Sequence, residues 1–197
     1  MPFTYGFLKF GIKPNTITLL SLVSFLIGGG FFIQESYLVS GLFWVLSYVL
    51  DCTDGAVARA TSTQSKFGAY LDVIIDRFIS LLFLCLLVNQ ATKLFENDIF
   101  GQAFIIMGAF GIAANAIISN LRVLYFPELK GIGSRKGSLL SKPLFRWPYE
   151  LMDTGNVFLL VSLSFYFQLE KEVLIIYTLI SMPLLIFNFI LAKKNSD

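Results

Sequence analysis

Four aspartates carry the chemistry of this chain: Asp51, Asp54, Asp72 and Asp76. The first pair is three residues apart and the second four, and side chains so spaced on a helix share one face. Asp51 and Asp54 project together with Gly55 and Ala58, while Gly68, Asp72 and Asp76 form a stripe on the next helix. The link at 60–66 is short enough to make the two helices antiparallel neighbours, so the four carboxylates can converge. Gathered in a medium of low dielectric, they repel strongly, and either protons or a divalent cation must neutralise them. Oxygen ligands favour a hard cation, and two ions about 3.5–4 Å apart recur in phosphoryl chemistry. Gly55, Ala58 and Gly68 then leave bare helix surface for a pyrophosphate or nucleotide. Arg59, one turn from Gly55, offers a guanidinium fork to a phosphate.

The elements that must position these groups follow from composition. Apolar residues make up 56% of the 197 positions and charged residues 14%, where soluble domains carry about 25% charged residues. The chain reads as a membrane protein, and its continuous apolar runs, without strand-like alternation, make its spans helices. A transmembrane helix needs about 20 mainly apolar residues. Six segments qualify, at about 15–33, 37–59, 67–92, 99–124, 146–168 and 172–193. Breakers and charges fall between them, there is no internal repeat, and a single membrane domain over 1–197 accounts for the whole chain. Lys9 and Lys13 ahead of the first run imitate a signal peptide, but no small-residue cleavage pattern follows, so the first helix is expected to be retained.

Histidine is absent, which excludes a histidine base and a histidine-ligated zinc site and points to magnesium, manganese or calcium. Cys52 and Cys85 lie in apolar stretches and read as small hydrophobes rather than a disulfide.

Basic residues set the orientation. Lys9, Lys13, Arg59, Lys66, Arg122, Lys130, Arg135, Lys136, Lys142, Arg146, Lys193 and Lys194 collect on one side, against Lys93 and Lys171 on the other. With an even number of spans, both termini and the polar cavity are expected to face the cytosol. The second segment is apolar only from Tyr37 to Leu50 and turns polar at Asp51; the third carries Asp72, Asp76 and Arg77 in its membrane half. Both anomalies fall at the cytosolic end, on either side of one link. Small residues on membrane helices commonly serve packing, but four acids at turn spacing, each costly to insert, do not.

The stretch from Asp51 to Asp76 resembles the signature of the CDP-alcohol phosphotransferase (CDP-alcohol phosphatidyltransferase) family: D-x-x-D-G-x-x-A-R, eight residues, G-x-x-x-D-x-x-x-D, with every fixed position met. Pro14-Asn15-Thr16 resembles the short segment before the first span in many members. The resemblance implies an all-α integral membrane fold with six helices around a cytosol-facing polar cavity. It implies Asp51, Asp54 and Asp72 as metal ligands, with Asp76 beside the metals and acting as general base. It further implies Mg2+ or Mn2+, as two ions, and a CDP site lined by Asn15, Gly55, Ala58, Arg59, Ser65 and Gly68. The reaction would move a phosphoryl-alcohol group from a CDP-linked donor such as CDP-diacylglycerol to an acceptor alcohol, with release of CMP in phospholipid synthesis. No serine, cysteine or histidine in the cluster offers a covalent nucleophile, so a single direct displacement is the simpler course.

For the acceptor, Arg122 and Arg146 border apolar runs and are the candidates to hold an anionic polyol. Asp153, Thr154 and Asn156 form a polar notch where many relatives carry arginines; Asp153 serves equally as a helix cap. Gly108, Gly111, Ala113 and Ala114 offer a packing face for a homodimer, a common state among relatives. Membrane lipids are expected partners and nucleic acid is not. Three rival readings remain at this point. They are a soluble CDP-polyol as donor, a divalent-cation or proton-coupled transporter, and a structural scaffold in which Asp-to-Asn changes are tolerated.

Overall fold

Long apolar runs leave the backbone to satisfy its own hydrogen bonds, and a helix does so within one segment. The computed structural model describes residues 2–125 and 154–194. It contains α1 (Pro2–Lys9), α2 (Pro14–Ile33), α3 (Tyr37–Ala60), α4 (Lys66–Leu94), α5 (Ile99–Tyr125), α6 (Thr154–Tyr166) and α7 (Glu170–Lys194), with no strand among the described residues. The fold is all-helical, as expected. Five of the six expected segments are helical to within two residues at each end. The other, 146–168, is helical from Thr154 to Tyr166, and 146–153 lie outside the described residues. By length and composition α2 is long and apolar enough to cross a bilayer, while Ile99–Ala114 and Asn156–Tyr166 are shorter apolar stretches.

Helix α1 was not expected from the sequence. Pro14 explains why it is separate from α2. Proline suits a first helical position, and the residue before it, Lys13, is held extended (φ −70°, ψ 144°). Gly11 turns the chain between the two helices at φ 64°. Its flanking bonds, Ile12 N–H to the Phe7 carbonyl (3.1 Å) and Gly11 N–H to that of Leu8 (3.2 Å), form a Schellman cap. Glu35 (φ 63°), Ser62 (φ 53°) and Gln168 (φ 58°) close α2, α3 and α6 by the same left-handed geometry without glycine.

The chain divides into two compact units, Met1–Leu86 and Leu87–Asp197. In the first, α2 and α3 pack along each other around Trp44, which is fully buried. Its ring lies 5.7 Å from Phe25, 5.0 Å from Phe32 and 5.2 Å from Phe83, and its indole N–H donates to the Phe25 carbonyl at 3.2 Å. Nearer the site, Ile17, Leu50 and Val57 form an apolar cluster on which Phe7 and Ile12 pack, anchoring α1.

In the second unit α5 packs on α7 through small residues. A Cβ at Gly108 would lie 2.6 Å from the Thr178 Cβ, and one at Gly111 would lie 2.6 Å from the Ser181 Oγ. The Ser181 hydroxyl also donates to the Gly108 carbonyl at 3.2 Å. The face expected to serve a homodimer is therefore occupied at these two glycines by the chain's own α7. Gly108→Val is expected to destabilise this unit by about 1–3 kcal/mol through overpacking, lowering the thermal unfolding midpoint in detergent. An unchanged midpoint would contradict the α5–α7 contact.

Candidate active site

Three helix ends build the site within the first unit: the start of α2, the last turns of α3 and the first turns of α4. Turn spacing on α4 and the short link after α3 do what the sequence suggested. One carboxylate oxygen from each of Asp51, Asp72 and Asp76 lies within 4.8 Å of the others, and all three groups are partly buried. Asp54 is more deeply buried (7% exposed) and is engaged differently, accepting a hydrogen bond from the Thr18 hydroxyl of α2. The four acids thus divide into a converging trio and a fourth held from across the helix pair.

Beside Asp54 and Asp72 lies a cavity of about 290 Å³. Its wall includes Asn15, Gly55, Ala58, Arg59, Ser65 and Gly68, so every residue expected to hold the nucleotide reaches one space. The glycines permit close approach. A Cβ at Gly68 would sit 3.0 Å from the Asn15 Oδ1 and 3.1 Å from the Ser65 Oγ, tighter than ordinary side-chain contact. The Ser65 hydroxyl also accepts the Gly68 backbone N–H at 2.9 Å, pinning the start of α4. At Gly55 the Arg59 guanidinium lies over bare backbone, 3.3 Å from where a Cβ would be.

Thr18, Thr63 and Gln64 also line the cavity and were not singled out in the sequence. For Thr18 the signal is a hydroxyl one turn after Pro14 in a mainly apolar helix. For Thr63 and Gln64 it is two polar side chains preceding Ser65 in the link. Arg77, directly after Asp76, has a buried Nη1 with no hydrogen-bond partner.

The donor set suits a hard divalent cation. Every group in the trio is a carboxylate, and the Asp51 Oδ1 is buried without a hydrogen-bond partner, the kind of orphaned acceptor that calls for an ion or a donor. Of the expected acceptor residues, Arg122 and Asn156 belong to the second unit. Arg146 and Asp153 lie outside the described residues, Arg122 stands near the end of α5, and Asn156 is exposed in the first turn of α6.

Known proteins bear on this arrangement. An uncharacterized protein of Aquifex aeolicus is 35% identical over 57% of this chain and 58% of its own length. The archaetidylinositol phosphate synthase of Pyrococcus horikoshii is 39% identical over 34% of this chain and 36% of its own. The chain therefore spans between about a third and three fifths of the length of these curated relatives. Among solved structures, the apo phosphatidylinositol phosphate synthase of Mycobacterium tuberculosis shares the fold, with a TM-score of 0.50 and 20% identity over 85% of this chain and 92% of that one. The family model for CDP-alcohol phosphatidyltransferases matches residues 12–187, taking in the cavity, the four aspartates and the helices that carry them, and the chain belongs to that family.

Proposed function

We propose that this protein is a multi-pass membrane transferase that moves a phosphatidyl group from CDP-diacylglycerol, or a closely related CDP-linked donor, to an acceptor alcohol and releases CMP. The observation that carries this reading is the meeting of the Asp51, Asp72 and Asp76 carboxylates near a cavity walled by the family's own signature residues. The names of two of these proteins, an archaetidylinositol phosphate synthase and a phosphatidylinositol phosphate synthase, make a polyol phosphate the first acceptor to try. In this reading residues 1–197 form one membrane domain of six spans, with both termini and the cavity on the cytosolic side. A homodimer would rest on surfaces other than Gly108 and Gly111.

The residues divide the work. Asp51, Asp54, Asp72 and Asp76 would hold two Mg2+ or Mn2+ ions, which supply charge neutralisation for the diphosphate and the departing CMP. Asn15, Ser65 and the bare faces at Gly55, Ala58 and Gly68 shape the nucleotide's seat. Arg59 binds a phosphate through its planar fork. Asp76 accepts the proton of the acceptor hydroxyl as its oxygen bonds to the phosphatidyl phosphorus, and the bond from that phosphorus to the CMP oxygen breaks.

The fork geometry gives a prediction. Arg59→Lys keeps the charge but loses the paired donors, and charged hydrogen bonds contribute about 1.5–3 kcal/mol. The expected result is a KM for the CDP donor about ten- to a hundredfold higher with a smaller effect on kcat, read from initial rates of CMP release.

The test of the whole reading is purified protein with CDP-diacylglycerol, Mg2+ or Mn2+, and a panel including inositol phosphate, glycerol phosphate and free inositol. Release of CMP that depends on both metal and acceptor is the expected result. Absence of CMP with every CDP-linked donor, lipid or soluble, would refute it; metal-ion flux in proteoliposomes would then favour transport.

A further inference from the structure

Asp54 differs from the other three acids in what fixes it. The converging trio sits on two helices joined by a short link, whereas the side-chain bond to Asp54 comes from residue 18, on another helix and 36 positions away. Thr18 is 3% exposed, and its hydroxyl also lies 3.2 Å from the Pro14 carbonyl one turn back. A hydroxyl has one proton. A carboxylate is the stronger acceptor, since bonds to an ionised group are about twice as strong as those between neutral partners. The proton therefore goes to Asp54, and the Pro14 carbonyl remains a local neighbour of the kind threonine often finds in a helix.

We propose that Thr18 is a positioning residue for divalent-cation binding: its hydroxyl occupies one oxygen of Asp54 and thereby fixes the orientation of that carboxylate at the wall of the cavity. The proposal rests on the reading of Asp54 as a cation ligand. Carboxylates that ligate metals are themselves oriented by outer hydrogen bonds, and loss of such a partner typically lowers metal affinity by about 10–100-fold. Thr18 also joins two structural tasks. It belongs to the first turns of α2, beside Asn15 in the same cavity wall, and it ties that wall to the acid-bearing end of α3. Cation affinity thus depends on a helix that contributes none of the four aspartates.

The experiment uses the purified full-length protein in detergent with Mn2+ alone, free ion being followed by electron paramagnetic resonance. Thr18→Val, which keeps the branched shape and removes the donor, is expected to raise the Mn2+ dissociation constant about tenfold or more. Thr18→Ser restores wild-type binding. In the CMP assay, Thr18→Val needs correspondingly more Mn2+ to reach its maximal rate. Wild-type Mn2+ affinity in a folded Thr18→Val protein overturns the proposal, as does weak binding in Thr18→Ser equal to that in Thr18→Val. Should thermal unfolding show that Thr18→Val does not fold, Thr18→Ala set against Thr18→Ser decides in the same way. A wild-type protein that binds Mn2+ but releases no CMP overturns the transferase reading and leaves the Mn2+ comparison to decide the role of Thr18. A wild-type protein that binds no Mn2+ overturns both.

Discussion

Asp76→Asn is expected to lower the rate of CMP release by about a thousandfold, within the 10²–10⁴-fold range that a positioned general base contributes. Asparagine keeps the size of the side chain and one carbonyl oxygen but cannot take up the acceptor's proton. One oxygen of Asp76 lies within 4.8 Å of one each from Asp51 and Asp72, so the same change also removes one charge from the trio proposed to hold the cation. Metal titration separates the two effects. If Asp76 serves as the base, Asp76→Asn stays slow at saturating Mn2+, whereas Asp72→Asn recovers part of its rate as Mn2+ rises. Rates that match wild type in Asp76→Asn would remove it from the proton transfer. Full recovery with added Mn2+ would leave it a ligand only.

The second large effect concerns stability. Trp44→Ala is expected to destabilise the first unit by about 3–5 kcal/mol, the range for emptying a buried aromatic site. The indole is fully buried, contacts Phe25, Phe32 and Phe83, and satisfies its N–H on the Phe25 carbonyl. Gly28 makes room for it: a Cβ there would come within 2.6 Å of the Trp44 Cδ1. Removing the ring opens a void between α2 and α3, the same pair whose far end joins Thr18 to Asp54. A drop of many degrees in the unfolding midpoint, followed by circular dichroism, is the expected readout. A drop no larger than that of a surface substitution would contradict the packing at this position.

The sequence disclosed those parts of the molecule that depend on local spacing. Apolar runs marked the helices because membrane-length hydrophobicity is a property of consecutive residues. The trio was legible because Asp72 and Asp76 are one turn apart, and a short link forces their helix beside the one carrying Asp51. Other features depend on pairings that spacing does not encode. The bond from Thr18 to Asp54 joins different helices. Gly108 and Gly111 were read as a packing face for a homodimer, but a stripe of small residues does not specify its partner, which at these two positions is α7. The turns at Glu35, Ser62 and Gln168 use left-handed backbone at residues that carry side chains, so the usual glycine signal for a helix end is missing. Helix α1 escaped notice because it has eight residues, too few for periodicity to declare itself, and much of what holds it is the distant cluster of Ile17, Leu50 and Val57.

The link between α3 and α4 is fastened at both ends. Behind it, the N–H groups of Ser62 and Thr63 bond back to Arg59 and Ala58; ahead of it, those of Gly68 and Ala69 bond to Ser65. Each residue advances a helix by about 100°. One extra residue, if absorbed into the start of α4, would therefore swing Asp72 and Asp76 about a quarter turn away from Asp51. The connection is therefore constrained in count as well as in kind: the number of residues between Arg59 and Gly68 is itself what brings the two acidic helices into phase.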